Sequence, residues 1–313
     1  MNSRNLRWLS LALACLATIA LLTSSAPLTF AQGCDDPGVC PPAVWGQNST
    51  VNELKATFDA ASRGQLGTSA PPLPNMYVGS SPTTTTPYVV PAVLLKAMAQ
   101  LETKGYGGWK QFNADYGQSG YTIIGSACDI GLMQITKVTA DDDALINKCN
   151  LASSWYYNLG AGACVLARKW NALALSQGGY PGGPYTVGAR NPAMIEDWYY
   201  AVWAYNSFGP YYNNPANTAL YQPDRPMPPN PALYDNPWHY PYQEMVWGYA
   251  IYPPSDGSTP RWDAVQLSLP NGNLFTKDQY PPNNLPRPMP AHADPHGATQ
   301  LPLISLVPWL SPD

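Results

Sequence analysis

Three stretches of this chain place polar side chains where they could do chemistry. The first is LLKAMAQLETKGYGG, Leu94 to Gly108. Glu102 sits there in the last turn of an expected helix, beside the apolar residues Met98 and Leu101. Burial and the negative end of the helix dipole both disfavour a carboxylate. A carboxyl kept protonated near neutral pH can give its proton to a leaving group. The second stretch is CDIGLMQITKVTA, Cys128 to Ala140. Gly131 allows close backbone approach, Leu132, Met133 and Ile135 can pack inward, and Gln134 offers a neutral donor and acceptor for a hydroxyl or acetamido group. The third is AVWAYNSFGP, where Tyr205 and Asn206 end a helix and the phenol can reach a carboxyl or a sugar. Taken singly, each has a plainer reading: an exposed glutamate, a buried turn, a core aromatic.

The elements that must position these residues are marked by proline. The chain has 35 prolines but none between Pro91 and Pro181, so residues 92–180 are where helices can form. One helix starts at Pro91, buries Leu94, Ala97, Met98 and Leu101, and stops near Gly105. A second is expected from Thr136–Thr139. A third covers Ser154–Leu175, with Leu159, Ala163, Leu166, Trp170 and Leu173 on one face; its Gly160 and Gly162 imply that another segment packs very close. A fourth has Asn191 as cap and Pro192 in its first turn, carries Ile195, Trp198, Val202 and Tyr205, and ends at Phe208-Gly209-Pro210. Residues 41–87 read as a Pro/Ser/Thr-rich linker with a short helix at Val51–Ser62. After Pro210 come Tyr-, Trp- and Pro-rich segments such as NPWHYPYQEMVWGY. Residues 242–269 hold enough apolar material to pack on the core, VQLSLP suggests a strand, and irregular chain is expected beyond Asn271. No internal repeat is present.

Composition sets the bounds. Residues 1–31, with Arg4 and Arg7 before an apolar run from Leu9 to Leu22, have the layout of a secretory signal peptide cleaved after Ala31. The run is short for a membrane span. Net charge is -4 and charged residues are 12% of the chain, without a basic cluster. That excludes a nucleic-acid surface as the expectation. Export permits disulfides. The pairs expected are Cys34–Cys40 and Cys128–Cys149, with Cys164 buried in a helix. No metal or cofactor pattern stands out: HADPH, from His292 to His296, resembles one but lies in a proline-rich tail.

Together, LLKAMAQLET, GLMQIT, NLGAGACVL and AYNSFGP resemble, in order and rough spacing, the catalytic domain of soluble lytic transglycosylases. This group belongs to the lysozyme-like superfamily that includes goose-type lysozymes. The resemblance covers about residues 88–215, between the 32–87 segment and a 216–313 extension packing partly on the core. It implies a mainly α fold: a lysozyme-like helical domain with a glycan-binding groove, followed by a Pro/Tyr/Trp-rich irregular C-terminal region. It also implies roles. Glu102 is the catalytic acid. Gln134 lines the groove with Met133 beside it, Tyr205 hydrogen-bonds near Glu102 with Asn206 next to it, and Asn158–Gly162 is a packing element. Two departures stand out. Thr103 replaces the serine that usually follows the glutamate. About 29 positions separate Glu102 from Gly131, longer than is common, and the Gly- and Tyr-rich insert is expected to line or cover the groove. The family's serine between the motifs has Ser126 as its candidate, with Ser119 weaker.

The implied reaction needs one acid: Glu102 protonates the bond between MurNAc and GlcNAc, then acts as base as the MurNAc 6-hydroxyl closes a 1,6-anhydro ring. Hydrolysis, as in a lysozyme, is the rival and would recruit Asp129 or Asp115 to place water. The chain's 11 Trp and 21 Tyr against 5 Phe also suit a non-catalytic wall-binding protein, since rings with polar edges stack on sugars. The expected partner is peptidoglycan glycan strands. The expected protein is a monomer, secreted, periplasmic or cell-wall associated, without stable membrane insertion after signal cleavage, and without cofactor or metal.

Overall fold

Thr50 starts the first helix with a reciprocal cap. Its hydroxyl accepts from the Glu53 N–H, and the Glu53 carboxylate accepts from the Thr50 N–H at 2.8 Å. This helix, α1 (Val51–Ser62), is followed by α2 (Ala92–Glu102), which begins directly after Pro91. Nine of the 11 residues of α2 are buried, so it is covered on all sides and forms the centre of the fold. Its two buried polar residues are paired: Lys96 binds Asp59 at 2.7 Å, and Gln100 accepts from Arg261 at 2.8 Å. Three further helices follow: α3 (Lys148–Ser153), capped by Asn147; α4 (Trp155–Leu173), capped by Ser154; and α5 (Tyr199–Asn206). The last, α6 (Tyr242–Ile251), is buried along its whole length and packs on α2 and α5.

The computed structural model describes residues 40–79, 81–86, 89–136, 146–175, 179–218, 228–233 and 239–294. All of these belong to one compact unit within Gly33–Thr299. The expected signal peptide, Cys34, the start of the expected second helix and His296 lie outside the described residues. No described helix is long and apolar enough to cross a membrane.

The mainly α, lysozyme-like expectation is corrected: the fold is mixed α/β. Beside the six helices, the described residues form four two-stranded sheets. These are β1 (Trp45–Gln47) with β4 (Ser119–Tyr121), β2 (Met76–Val78) with β3 (Ser81–Thr86), β5 (Thr186–Val187) with β8 (Asn284–Leu285), and β6 (Ser255–Asp256) with β7 (Thr259–Pro260). Only β5–β8 is parallel. Strands of two to six residues are too short to show an alternating pattern. VQLSLP forms no strand; Leu267 and Leu269 are simply buried.

Three further expectations change. Asn191 does not start a helix. Its N–H is held by the Asp197 carboxylate at 2.7 Å, and a 3-10 turn at Ile195–Trp198 leads into α5. The 41–87 segment is no linker, because Leu54, Phe58 and Met76 are fully buried in the common core. The disulfide is Cys40–Cys128, across 88 positions, in place of both expected pairs. The β1–β4 ladder explains it. That ladder runs Val44–Gln47 antiparallel to Ser119–Thr122 and brings the chain ends beyond it together. Cys149 is also disulfide-bonded. Cys164 is a buried thiol on α4 that meets the Pro72 carbonyl.

The close approach implied by Gly160 and Gly162 is present. A Cβ on Gly160 would lie 2.5 Å from that of Ala70, and one on Gly162 would lie 2.6 Å from Cγ of Met133. Both are closer than atoms can pack.

Candidate active site

Glu102 is the last residue of α2, and Tyr242 is the first of α6. The Tyr242 hydroxyl donates to Glu102 Oε1 at 2.6 Å, across 140 positions of sequence. Pro241 opens α6, and Asn213 Oδ1 accepts the Tyr242 N–H at 3.1 Å, which fixes where the phenol points. Tyr205 takes a different partner from the one implied. Its hydroxyl donates to the Met133 carbonyl at 2.8 Å and so braces the GLMQ turn.

Glu102 keeps a little surface toward a cleft, but its carboxyl is enclosed deeply enough for loss of water to dominate its titration. Burial pushes its pKa up to about 8 from the usual 4.5. The Tyr242 hydrogen bond pulls it back, and the negative charge of Asp129 adds to the rise. Both phenols are pushed well above their usual range, first by burial and then by the nearby carboxylates. They therefore stay protonated, as hydrogen-bond donors, at neutral pH. The arrangement is a carboxylic acid, neutral at pH 7, clasped by a neutral phenol.

The GLMQ turn is held by two amide side chains. Asn158 of α4 accepts from the Met133 N–H and donates to the Ile130 carbonyl, both at 2.8 Å. Gln111 accepts from the Leu132 N–H at 2.9 Å and donates to the Leu151 carbonyl at 2.8 Å. Gln111 belongs to the insert after Glu102, which is not a groove cover. Trp109 from the same insert is buried and stacked on Trp262 at 5.0 Å, and Asn48 ties down Phe112 and Ala114. Tyr106 and Tyr121 of the insert are exposed, while Trp109 and Phe112 anchor it in the fold.

The remaining sequence candidates divide. Met133 is fully buried and packs against Gly162. Gln134 is half-buried, has φ 45°, and donates to the Gly131 carbonyl at 2.7 Å. Thr103 is buried and its hydroxyl returns to the Ala99 carbonyl at 2.8 Å, so it finishes α2. Ser126 is exposed on a turn. Asp115 is spent on Lys110 at 3.2 Å. His292 is held at 2.7 Å by the buried Glu196 and fastens the C-terminal segment. Among the described residues, no group of three or more His, Cys, Asp or Glu could hold a metal ion.

Glu102 opens onto a cleft of about 540 Å³. It is lined by Asn206 and the loop carrying Tyr211 and Tyr212, together with Tyr240, Tyr242 and Met245. Among the described residues, Glu102 is the only carboxyl on the lining, and no Lys, Arg or His is on it. Met133, Gln134, Ser126 and Asp129 do not line this cleft. Of the implied site residues, the cleft thus brings together Glu102 and Asn206, while Tyr205 stands behind them. Sequence reasoning missed Tyr242, Tyr211 and Tyr212. Their one visible signal was the excess of tyrosine over phenylalanine after Pro210.

Compared with protein-family models, with curated proteins and with solved structures, the chain matches none.

Proposed function

We propose that this is an exported enzyme that cleaves the β-1,4 bond between MurNAc and GlcNAc of peptidoglycan by lytic transglycosylation, with Glu102 as its one acid and base. The observation that carries the reading is an enclosed carboxyl on the wall of a cleft that has no other charged side chain among the described residues, held by Tyr242 at 2.6 Å, with burial pushing its pKa up to about 8. The likeness of LLKAMAQLET, GLMQIT and AYNSFGP to the lytic transglycosylase motifs supports peptidoglycan as substrate, and the disulfide supports an oxidising compartment.

In this reaction Glu102 gives its proton to the glycosidic oxygen, and the bond from that oxygen to the MurNAc anomeric carbon breaks. GlcNAc leaves with its 4-hydroxyl restored. The Glu102 carboxylate, now stabilised by the Tyr242 hydroxyl, removes the proton of the MurNAc 6-hydroxyl. That oxygen bonds the anomeric carbon, giving the 1,6-anhydro product. Glu102 ends protonated and no water is consumed. A single acid on the described lining suits this sequence, whereas the usual hydrolytic scheme needs two flanking carboxyls.

Hydrolysis is the second reading: Asp129 is near enough for its negative charge to raise the Glu102 pKa, but it stands off the described cleft lining and would have to direct water from there. Mass spectrometry of peptidoglycan digested by wild type and Glu102→Gln decides. Anhydro-MurNAc ends, absent with Glu102→Gln, are expected. Reducing MurNAc ends would replace this reading with hydrolysis. No cleavage by wild type would leave a wall-binding protein.

A further inference from the structure

The loop beside Glu102 combines a fixed backbone with exposed rings. Tyr211 and Tyr212 are 64% and 70% exposed, among the most exposed aromatic side chains described. Their backbone is not free to move with them. The Tyr211 carbonyl accepts from the Asn217 amide at 3.0 Å, and the Tyr212 carbonyl accepts from the buried Trp203 indole at 3.1 Å. Asn214 adds bonds to the carbonyls of Pro210, Thr276 and Gln279. The asparagine amides of this loop are therefore largely spent on building the wall. What the wall offers a ligand is chiefly two exposed phenols, carried on a backbone fixed before anything binds.

Ring faces attract the C–H face of a pyranose, and a backbone already held in place lowers the ordering cost of binding. The described lining holds no cation, so a carboxylate desolvated there would have no charged partner among the described residues. In peptidoglycan, MurNAc bears the lactyl ether, which ends in a carboxylate or continues into a peptide, while GlcNAc is uncharged.

We infer that Tyr211 and Tyr212 form a stacking subsite for an uncharged pyranose next to Glu102, so that a bound strand lays GlcNAc on this loop and the lactyl-bearing MurNAc on the opposite side of Glu102. The subsite follows from the loop itself; the strand direction rests on the peptidoglycan reading above.

The test uses chitotetraose, a neutral tetramer of GlcNAc, as a titrant monitored by calorimetry and NMR. Wild type and Glu102→Gln bind it alike, the Tyr211→Ala/Tyr212→Ala variant binds about tenfold more weakly, and Tyr211→Trp/Tyr212→Trp binds at least as well as wild type. On peptidoglycan, the alanine pair raises KM about tenfold and leaves kcat within about twofold. Tetramer binding unaffected by the alanine pair, or no binding by wild type, overturns the subsite. The two readings fail separately. Tyrosine-dependent tetramer binding without peptidoglycan cleavage keeps the subsite and removes the strand direction. Cleavage with KM unchanged in the alanine pair keeps the enzyme and removes the subsite.

Discussion

Replacing Glu102 by glutamine should stabilise the protein at high pH and leave its stability at low pH nearly unchanged. Glutamine has the shape of a protonated glutamate, and its carbonyl can still accept from Tyr242. The wild-type carboxyl titrates at about 8 in the fold against an ordinary 4.5. At about 1.4 kcal/mol per pH unit, that difference is worth roughly 5 kcal/mol, reduced to about 3–5 kcal/mol by the water that reaches Glu102 from the cleft. The sign follows from proton binding. Below pH 4.5 both folded and unfolded chains hold the proton, and the carboxyl carries no penalty. Between pH 4.5 and about 8 the unfolded chain releases it first, so wild type loses stability as pH rises. Above that window the full penalty remains. Urea unfolding of both proteins at four pH values across the window, disulfides intact, measures it. The Glu102→Gln advantage should grow from near zero to several kcal/mol. Parallel stability curves, or an advantage at pH 9 below about 1 kcal/mol, would refute the idea that the fold holds Glu102 as a strained acid.

Three more outcomes are expected. Tyr242→Phe removes a bond that favours the carboxylate, so the alkaline limit of activity should move up by about one to two pH units, as losing a hydrogen bond to a charged group of about 1.5–3 kcal/mol requires; a pH–rate profile reads it. Tyr205→Phe strands the Met133 carbonyl and should cost about 1–3 kcal/mol in urea unfolding while leaving that alkaline limit in place. Replacing Cys40 and Cys128 together by serine opens an 88-position loop and should cost about 2–5 kcal/mol of stability, read as a lowered unfolding midpoint under non-reducing conditions.

What was legible in the sequence was local. A short helix was expected at Val51–Ser62, where α1 lies, Pro91 marks α2, and a carboxyl beside Met98 and Leu101 announces its own discomfort. Gly160 and Gly162 announced neighbours without naming them; these proved to be Ala70 and Met133. Local failures were few, as where Asn191 meets the Asp197 carboxylate instead of starting a helix; those at the site were long-range. Tyr242 reaches Glu102 across 140 positions, and α6 is buried on every side, so no apolar stripe shows which face meets α2. The Cys40–Cys128 pair depends on the register of β1 and β4, strands of three residues each, which no alternation could reveal. Tyr205 was assigned the carboxyl that Tyr242 holds, because helix periodicity gives the side of a helix on which a phenol lies but not the atom it meets.

The distance in sequence between Glu102 and Tyr242 also orders events in time. A nascent chain emerges with α2 long before α6. Until α6 docks, Glu102 lacks the Tyr242 hydroxyl and the cover that the last of the described helices lays over α2. A chain truncated near residue 215 would carry all the motif stretches and still lack α6, the element that supplies Tyr242 to Glu102.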